Sequence, residues 1–265
     1  MFWEIISKTM DEPQMFGLYH FIWLFIILVV SVILSIVLKN ASLKRYKLVI
    51  FIMWIIIIGL EVIKELSLAY RNSWEYVWSA FPFQFCSTIF YVIPLLLISS
   101  PNKGKLSKFV FYSTVGFTAT YLFFGGLITI INAQTIFSTY IFINIQTMIH
   151  HGSQVVLGII TMVYFRKELN FKIFLRGSVL FLVFVLIAFI MNETFILFLP
   201  DNSYFNMFFI SRFYDPPKVA LSFYNMVPYP VYLIGYILGF SLSAFVIYVI
   251  PRLIIKARSW WRALL

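Results

Sequence analysis

The sequence predicts an all-α integral membrane protein, a bundle of about seven transmembrane helices, on three observations. Of 265 residues, 62% are hydrophobic and only 11% are charged. No soluble domain of this size could hide so much apolar surface, because a single core stops growing near roughly 250–300 residues. The apolar residues fall into runs near the roughly 20 that a helix needs to cross the hydrocarbon. Basic residues gather in alternate connections between those runs, which is how a multi-pass chain fixes its orientation.

The spans are expected at about 19–38, 48–70, 77–99, 110–131, 144–165, 178–199 and 231–250, within one domain covering 1–265. Residues 1–16 carry Glu4, Asp11 and Glu12 against Lys8 and lack the basic start and cleavage site of a signal peptide. The first span ends at a basic group, Lys39, Lys44, Arg45 and Lys47. The second is apolar until Glu61, Lys64 and Glu65, which share a face. The stretch Phe81 to Pro94 reads as the first turns of the third, with the only cysteine, Cys86, between Gln84 and Ser87. Gly116, Gly125 and Gly126 interrupt the fourth, and His150 and His151 lie in the fifth. In the seventh, Gly235, Gly239 and Ser243 recur every four residues, a stripe that suits close helix packing.

Fifteen of the 20 Lys and Arg fall in the first, third and fifth connections and the C-terminal tail. That partition predicts an N-terminus outside and a cytoplasmic tail carrying Arg252, Lys256, Arg258 and Arg262. It also accounts for the net charge of +10 without a nucleic-acid partner. No zinc-finger spacing, phosphate-binding glycine loop or dinucleotide fingerprint occurs. One cysteine excludes an internal disulfide and a cysteine-based metal cluster. The longest connection, 200–230, is placed outside, where its prolines argue against a regular helix and its length suggests a lid.

With this orientation, scarce polar residues converge on one depth. Cys86, His150 and His151 lie roughly 10–14 Å below the outer surface at 1.5 Å per residue. Glu61 and Glu65, Asn192 and Glu193, and His20 belong to the same half. Polar groups in the hydrocarbon face other helices or water, so a shared depth on several helices suggests a site. Along the fifth helix Gln146, His150 and Gln154 form one stripe, while Thr147 and His151 form another about 100° away. One partner on another helix is therefore expected to meet only one histidine.

A cysteine beside a histidine is the simplest nucleophile and base, in which the imidazole takes the thiol proton and the thiolate attacks an ester or thioester carbonyl. Acyl groups are the carbonyls that such a site would meet inside a leaflet. A Glu or Asn is the expected orienting partner of the imidazole.

The collected residues resemble those of YwaF-type bacterial membrane proteins and their relatives in the transmembrane protein 164 family. The matching pieces are FPFQFC at 81–86, HHG at 150–152, NMFFISRFYDPPKVAL at 206–221 and VPYPVY at 227–232. Gln84 departs from the family's usual His, and Met207 from its usual Tyr. The resemblance implies a helical membrane fold, also compared with the androgen-induced membrane hydrolases, and phospholipid acyl transfer through an acyl-cysteine. Carried over, the nucleophile is Cys86 and the base is His151. Beside the resemblance, Gln84, His150, Gln154, Glu61, Asn192, Glu193 and Asn206 are expected as binding or supporting residues. The implied partners are membrane phospholipids with a lipid-derived acyl donor and acceptor, the implied location is the bacterial plasma membrane, and no cofactor or metal is expected. The alternative is a transporter or binding component that uses the same pocket without covalent chemistry. A metal site would draw on His150, His151, Glu193 and His20, although adjacent histidines rarely bind one ion from the same helix.

Overall fold

The computed structural model describes residues 2–200 and 203–264. Side chains from residue 254 onward lie outside the described residues, and with them those of Lys256, Arg258 and Arg262. The described chain is helical, with one isolated antiparallel bridge between Thr9 and Tyr140. A short α1 (Phe2–Ile6) precedes α2 (Leu18–Leu38), α3 (Leu43–Arg71), α4 (Ile89–Ile98), α5 (Gly104–Phe117), α6 (Phe123–Ile131), α7 (Ile141–Tyr164), α8 (Phe171–Phe195), α9 (Lys218–Met226) and α10 (Tyr229–Leu264). Five helical rods are long and apolar enough to cross a membrane: Leu18–Leu38, Leu43–Arg71, Gly104–Ile131, Phe171–Phe195 and Tyr229–Leu253. Their outward faces are apolar, with Phe25, Ile36, Ile55, Leu186 and Leu242 all exposed, as a lipid-facing surface requires.

The rods begin where side chains can take up free backbone donors. Ser42 accepts from the backbone of Arg45 at the start of α3, and Asn170 does the same for Ile173 at the start of α8. The helices then run alternately up and down. At one end Arg166 donates to the carbonyl of Lys39, Lys47 to those of Leu97 and Ser99, and Arg252 to that of Leu169. At the other end Met15 and Glu12 bond Gln134, and the Arg71 guanidinium lies 3.8 Å from the Tyr140 ring centre. The basic first, third and fifth connections thus share one end of the bundle.

α7 occupies the centre, packed on α2, α3 and α6. It is 24 residues long, about 36 Å at the standard rise. Asn144, Gln146, His150, His151 and Gln154 are all buried along it. α5 and α6 form one rod through a π-helical turn at Thr118–Leu122, a kind of irregularity often found at functional sites. Gly116 and Gly177 let α5 and α8 touch backbone to backbone: a Cβ on Gly177 would sit 2.7 Å from the Gly116 carbonyl carbon.

Three expectations are corrected. The stretch 77–84 is not helical beyond a 3₁₀ turn at Trp78–Ala80, and the helix starts with a 3₁₀ turn at Phe85–Thr88. Pro82 disfavours helical backbone at the residue before it, and Phe81 accordingly sits at φ −47°, ψ 128°, outside the helical region. The apolar helix Phe85–Ile98 is shorter than a full crossing, and non-helical backbone beside it is tolerated because Phe83 and Phe85 are packed inside the protein. The 200–230 connection does contain a regular helix, α9, because Pro217 and Pro228 sit at its boundaries rather than inside it. Finally, a Cβ on Gly239 would meet nothing within 4 Å, so the small-residue stripe does not pack at its centre, whereas Gly235 lies against the Phe223 ring.

Candidate functional site

Phe85 anchors the site. Its ring meets Phe240 at 4.6 Å, Phe208 at 5.8 Å and Phe181 at 6.0 Å between centroids. Gly125 makes the room, since a Cβ there would lie 2.5 Å from that ring. Burying Phe85 fixes the first helical turn, and Cys86 follows directly.

α7 meets this turn from the other side. His150 Nε2 lies 3.2 Å from the Cys86 carbonyl oxygen, and Gln154 Nε2 donates to the same oxygen at 2.8 Å. A carbonyl only accepts, so His150 Nε2 carries the hydrogen and Nδ1 holds the lone pair. The Cys86 sulfur and a ring nitrogen of each of His150 and His151 all lie within 4.8 Å of one another. Cys86 keeps partial exposure, while His150 and His151 are 5% and 7% exposed. Both histidine Nδ1 atoms and Gln154 Oε1 are buried without a hydrogen-bond partner among the described residues.

Both histidines thus meet the same cysteine, contrary to the expectation that only one would. The two rings are 5.0 Å apart at 75°, so an irregular helix start inserted between the stripes reaches each of them. A regular third helix would have offered a single line of contact.

Glu61 is one layer away. It accepts from Gln146 at 2.9 Å and from Lys64 at 2.6 Å, and Lys64 lies 3.2 Å from Glu65. Glu61 and Lys64 both act electrostatically on Cys86 and His150. Outside the spans, desolvation and the Glu65 carboxylate push the Tyr76 phenol above its ordinary value, which keeps it neutral. A groove of about 370 Å³ opens between α3 and α4, lined by Ile58, Val62, Leu66 and Tyr91 with Glu61 and Glu65. Phe90 separates it from the site, with its ring 5.3 Å from His150.

The remaining expected residues hold the α8–α10 connection. Gln84 donates to the Asn206 carbonyl at 2.8 Å and accepts from the Phe208 backbone at 2.9 Å. Asn192 makes the same two-way bond with Met207, at 3.0 and 2.8 Å. Asn206 accepts from Ser211, and Glu193 pairs with Arg212 at 2.6 Å. Together they seat Phe205, Met207, Phe208 and Ile210, each no more than 1% exposed, in the mouth of the bundle. Phe208 and Phe209 both have φ of 57°, a left-handed backbone that bulky residues rarely adopt. Gln84, Asn192, Glu193 and Asn206 therefore clamp this connection onto the site rather than face the sulfur. His20 stands apart: its Nδ1 accepts from Phe16 and its Nε2 bonds the Ile130 carbonyl, both at 2.9 Å. Neither it nor Glu193 joins the histidine pair, so the four residues of the metal alternative do not come together.

Tyr236 was not singled out from the sequence. Its buried hydroxyl has no hydrogen-bond partner among the described residues, and its ring stacks on Phe240, which packs on Phe85 beside Cys86. A tyrosine among many aromatics carries no signal that would separate it.

A family model matches residues 15–248, which include every one of these site residues. The chain belongs to the TMEM164 family. No curated protein and no solved structure matches it. Within the TMEM164 family match lie both halves of the cluster, FPFQFC and HHG, and the clamp that covers them.

Proposed function

We propose that this TMEM164 family protein transfers or hydrolyses phospholipid acyl groups through an acyl-cysteine at Cys86. The observation that carries the reading is the meeting of a partly exposed thiol with two buried imidazoles, all within 4.8 Å. His151 is the base: a ring nitrogen lies within 4.8 Å of the sulfur, and its buried Nδ1 is engaged by no hydrogen bond. His151 takes the thiol proton, and the sulfur attacks an ester carbonyl to give a tetrahedral oxyanion. Collapse forms the thioester as the C–O bond breaks, and His151 returns the proton to the departing lysolipid oxygen. An acceptor hydroxyl, or water, then loses its proton to His151, attacks the thioester and regenerates the thiol. Tyr236 is the available donor to the oxyanion, since its buried hydroxyl is otherwise unpartnered. His150 and Gln154 position Cys86 through its carbonyl. The apolar groove beside Glu61 suits an acyl chain entering from the bilayer.

The proposal includes a multi-pass protein of the plasma membrane with seven crossings, a cytoplasmic tail and the site in the outer half. Its supports are the alternating helices and the basic residues gathered at one end of the bundle. The test is acyl exchange in nanodiscs containing a fluorescent-acyl phospholipid and an unlabelled lysolipid. Acyl transfer or fatty-acid release is expected from the wild type and should vanish in Cys86→Ala and His151→Ala. Retained turnover in Cys86→Ala would reject the covalent route. No turnover with any glycerophospholipid would favour a carrier or binding role.

A further inference from the structure

We propose that Cys86, His150 and His151 form a soft-metal site that takes a zinc-class divalent ion and, when filled, silences the cysteine. One sulfur and two imidazole nitrogens are a donor set that prefers zinc to magnesium or calcium. Three protein ligands with a fourth position left open also match the coordination of non-structural zinc sites. The three donor atoms already lie within 4.8 Å of one another. Tetrahedral zinc with ligands at about 2.0–2.3 Å needs them about 3.5 Å apart, so closure takes roughly 1 Å of side-chain movement.

Three further observations point to a ligand. His150 and His151 are more than nine-tenths buried, yet neither Nδ1 has a partner. Buried polar atoms without partners are uncommon and call for one. His150 Nε2 donates to the Cys86 carbonyl, the kind of outer hydrogen bond that orients a metal-binding imidazole, so an ion taken by the unpartnered Nδ1 would leave that bond in place. The charges also balance. A divalent ion on one thiolate leaves +1, and the Lys64 ammonium between the Glu61 and Glu65 carboxylates leaves −1 when both acids are ionised. Binding exchanges a proton for the ion: the S–H bond breaks, the S–metal bond forms, and the proton leaves to solvent. The sulfur lone pair is then committed and His151 can no longer act as base. This inhibitory consequence rests on the acyl-transfer reading, whereas the binding itself does not.

The test uses the full chain, reduced and treated with chelator, in detergent. Titration with Co²⁺ should give one equivalent of a thiolate-to-cobalt charge-transfer band, displaced by Zn²⁺ and unaffected by Mg²⁺. Cys86→Ser should remove the band. His150→Ala and His151→Ala should each weaken binding beyond the about 10–100-fold typical of losing an outer partner. Absence of the band in the wild type, or a band that survives Cys86→Ser, overturns the proposal. Zn²⁺ should also stop acyl turnover and chelator restore it. Turnover that continues with one Zn²⁺ bound at Cys86 overturns the inhibitory claim. A chelated protein that binds Co²⁺ at Cys86 but never turns over lipid would count against acyl transfer while leaving the metal site standing.

Discussion

Gly126→Ala is the sharpest probe of how the central helix is held against the cysteine. A Cβ at Gly126 would lie 2.6 Å from the Gln154 Cβ and 2.7 Å from the His151 carbonyl oxygen. Ordinary contacts between carbons need about 3.5–4.0 Å, so α7 must retreat from α6 by roughly 1 Å. Its backbone cannot swing aside as a side chain would. Overpacking of this kind costs about 1–3 kcal/mol. Gly239→Ala is the matched control, because a Cβ there meets nothing within 4 Å. Each variant gains the same helix propensity of about 1 kcal/mol, so the difference between them isolates the steric term. At roughly 2–4 °C per kcal/mol for a chain of this size, Gly126→Ala should melt several degrees below Gly239→Ala in detergent. The retreat also pulls His151 from Cys86, and a misplacement of about 1 Å costs about a hundredfold in rate. Equal melting midpoints for the two variants would refute this account of the α6–α7 contact.

Further outcomes follow from the surrounding network. Gln84→Ala removes both side-chain bonds to the Asn206–Phe208 backbone, which should cost about 1–3 kcal/mol and speed proteolysis between residues 203 and 215; unchanged cleavage would detach Gln84 from the clamp. Lys64→Met leaves Glu61 and Glu65 facing each other without a cation and should lower stability by about 3–5 kcal/mol, while adding Glu61→Gln should restore part of it; additive losses measured by thermal melting would contradict the pairing. In a Cys86→Ala background, an impermeant thiol reagent on intact cells should label Ser73→Cys and spare Asn102→Cys; the reverse pattern would invert the proposed orientation.

Five of the seven expected crossings were legible as helices because a membrane crossing demands an apolar run of fixed length, and those runs survive in the sequence whatever they pack against. The third segment was not, because FPFQFC is as apolar as a helix would be and only Pro82 marks the break. The prolines of the 200–230 connection were visible, but breakers inside a segment and boundaries of a short helix look alike until α9 is seen between Pro217 and Pro228. Level along the bundle was readable from residue counts, and Cys86, His150 and His151 do meet. Rotation was not, so Asn192 and Glu193 shared the depth yet turned to the connection, and Gly239 turned to open space. Tyr236 and Gly126 matter through the neighbours that packing gives them, which no local pattern encodes.

The claim at the centre of this account is that Cys86 and His151 act as one chemical unit on acyl groups. Intact-protein mass spectrometry after incubation with a phospholipid in nanodiscs, quenched at acid pH, reads it most directly. One hydroxylamine-sensitive acyl group should appear on Cys86 in the wild type, and none in His151→Ala or in Cys86→Ala. An acyl adduct that forms equally in His151→Ala, or that maps to any other residue, would contradict it.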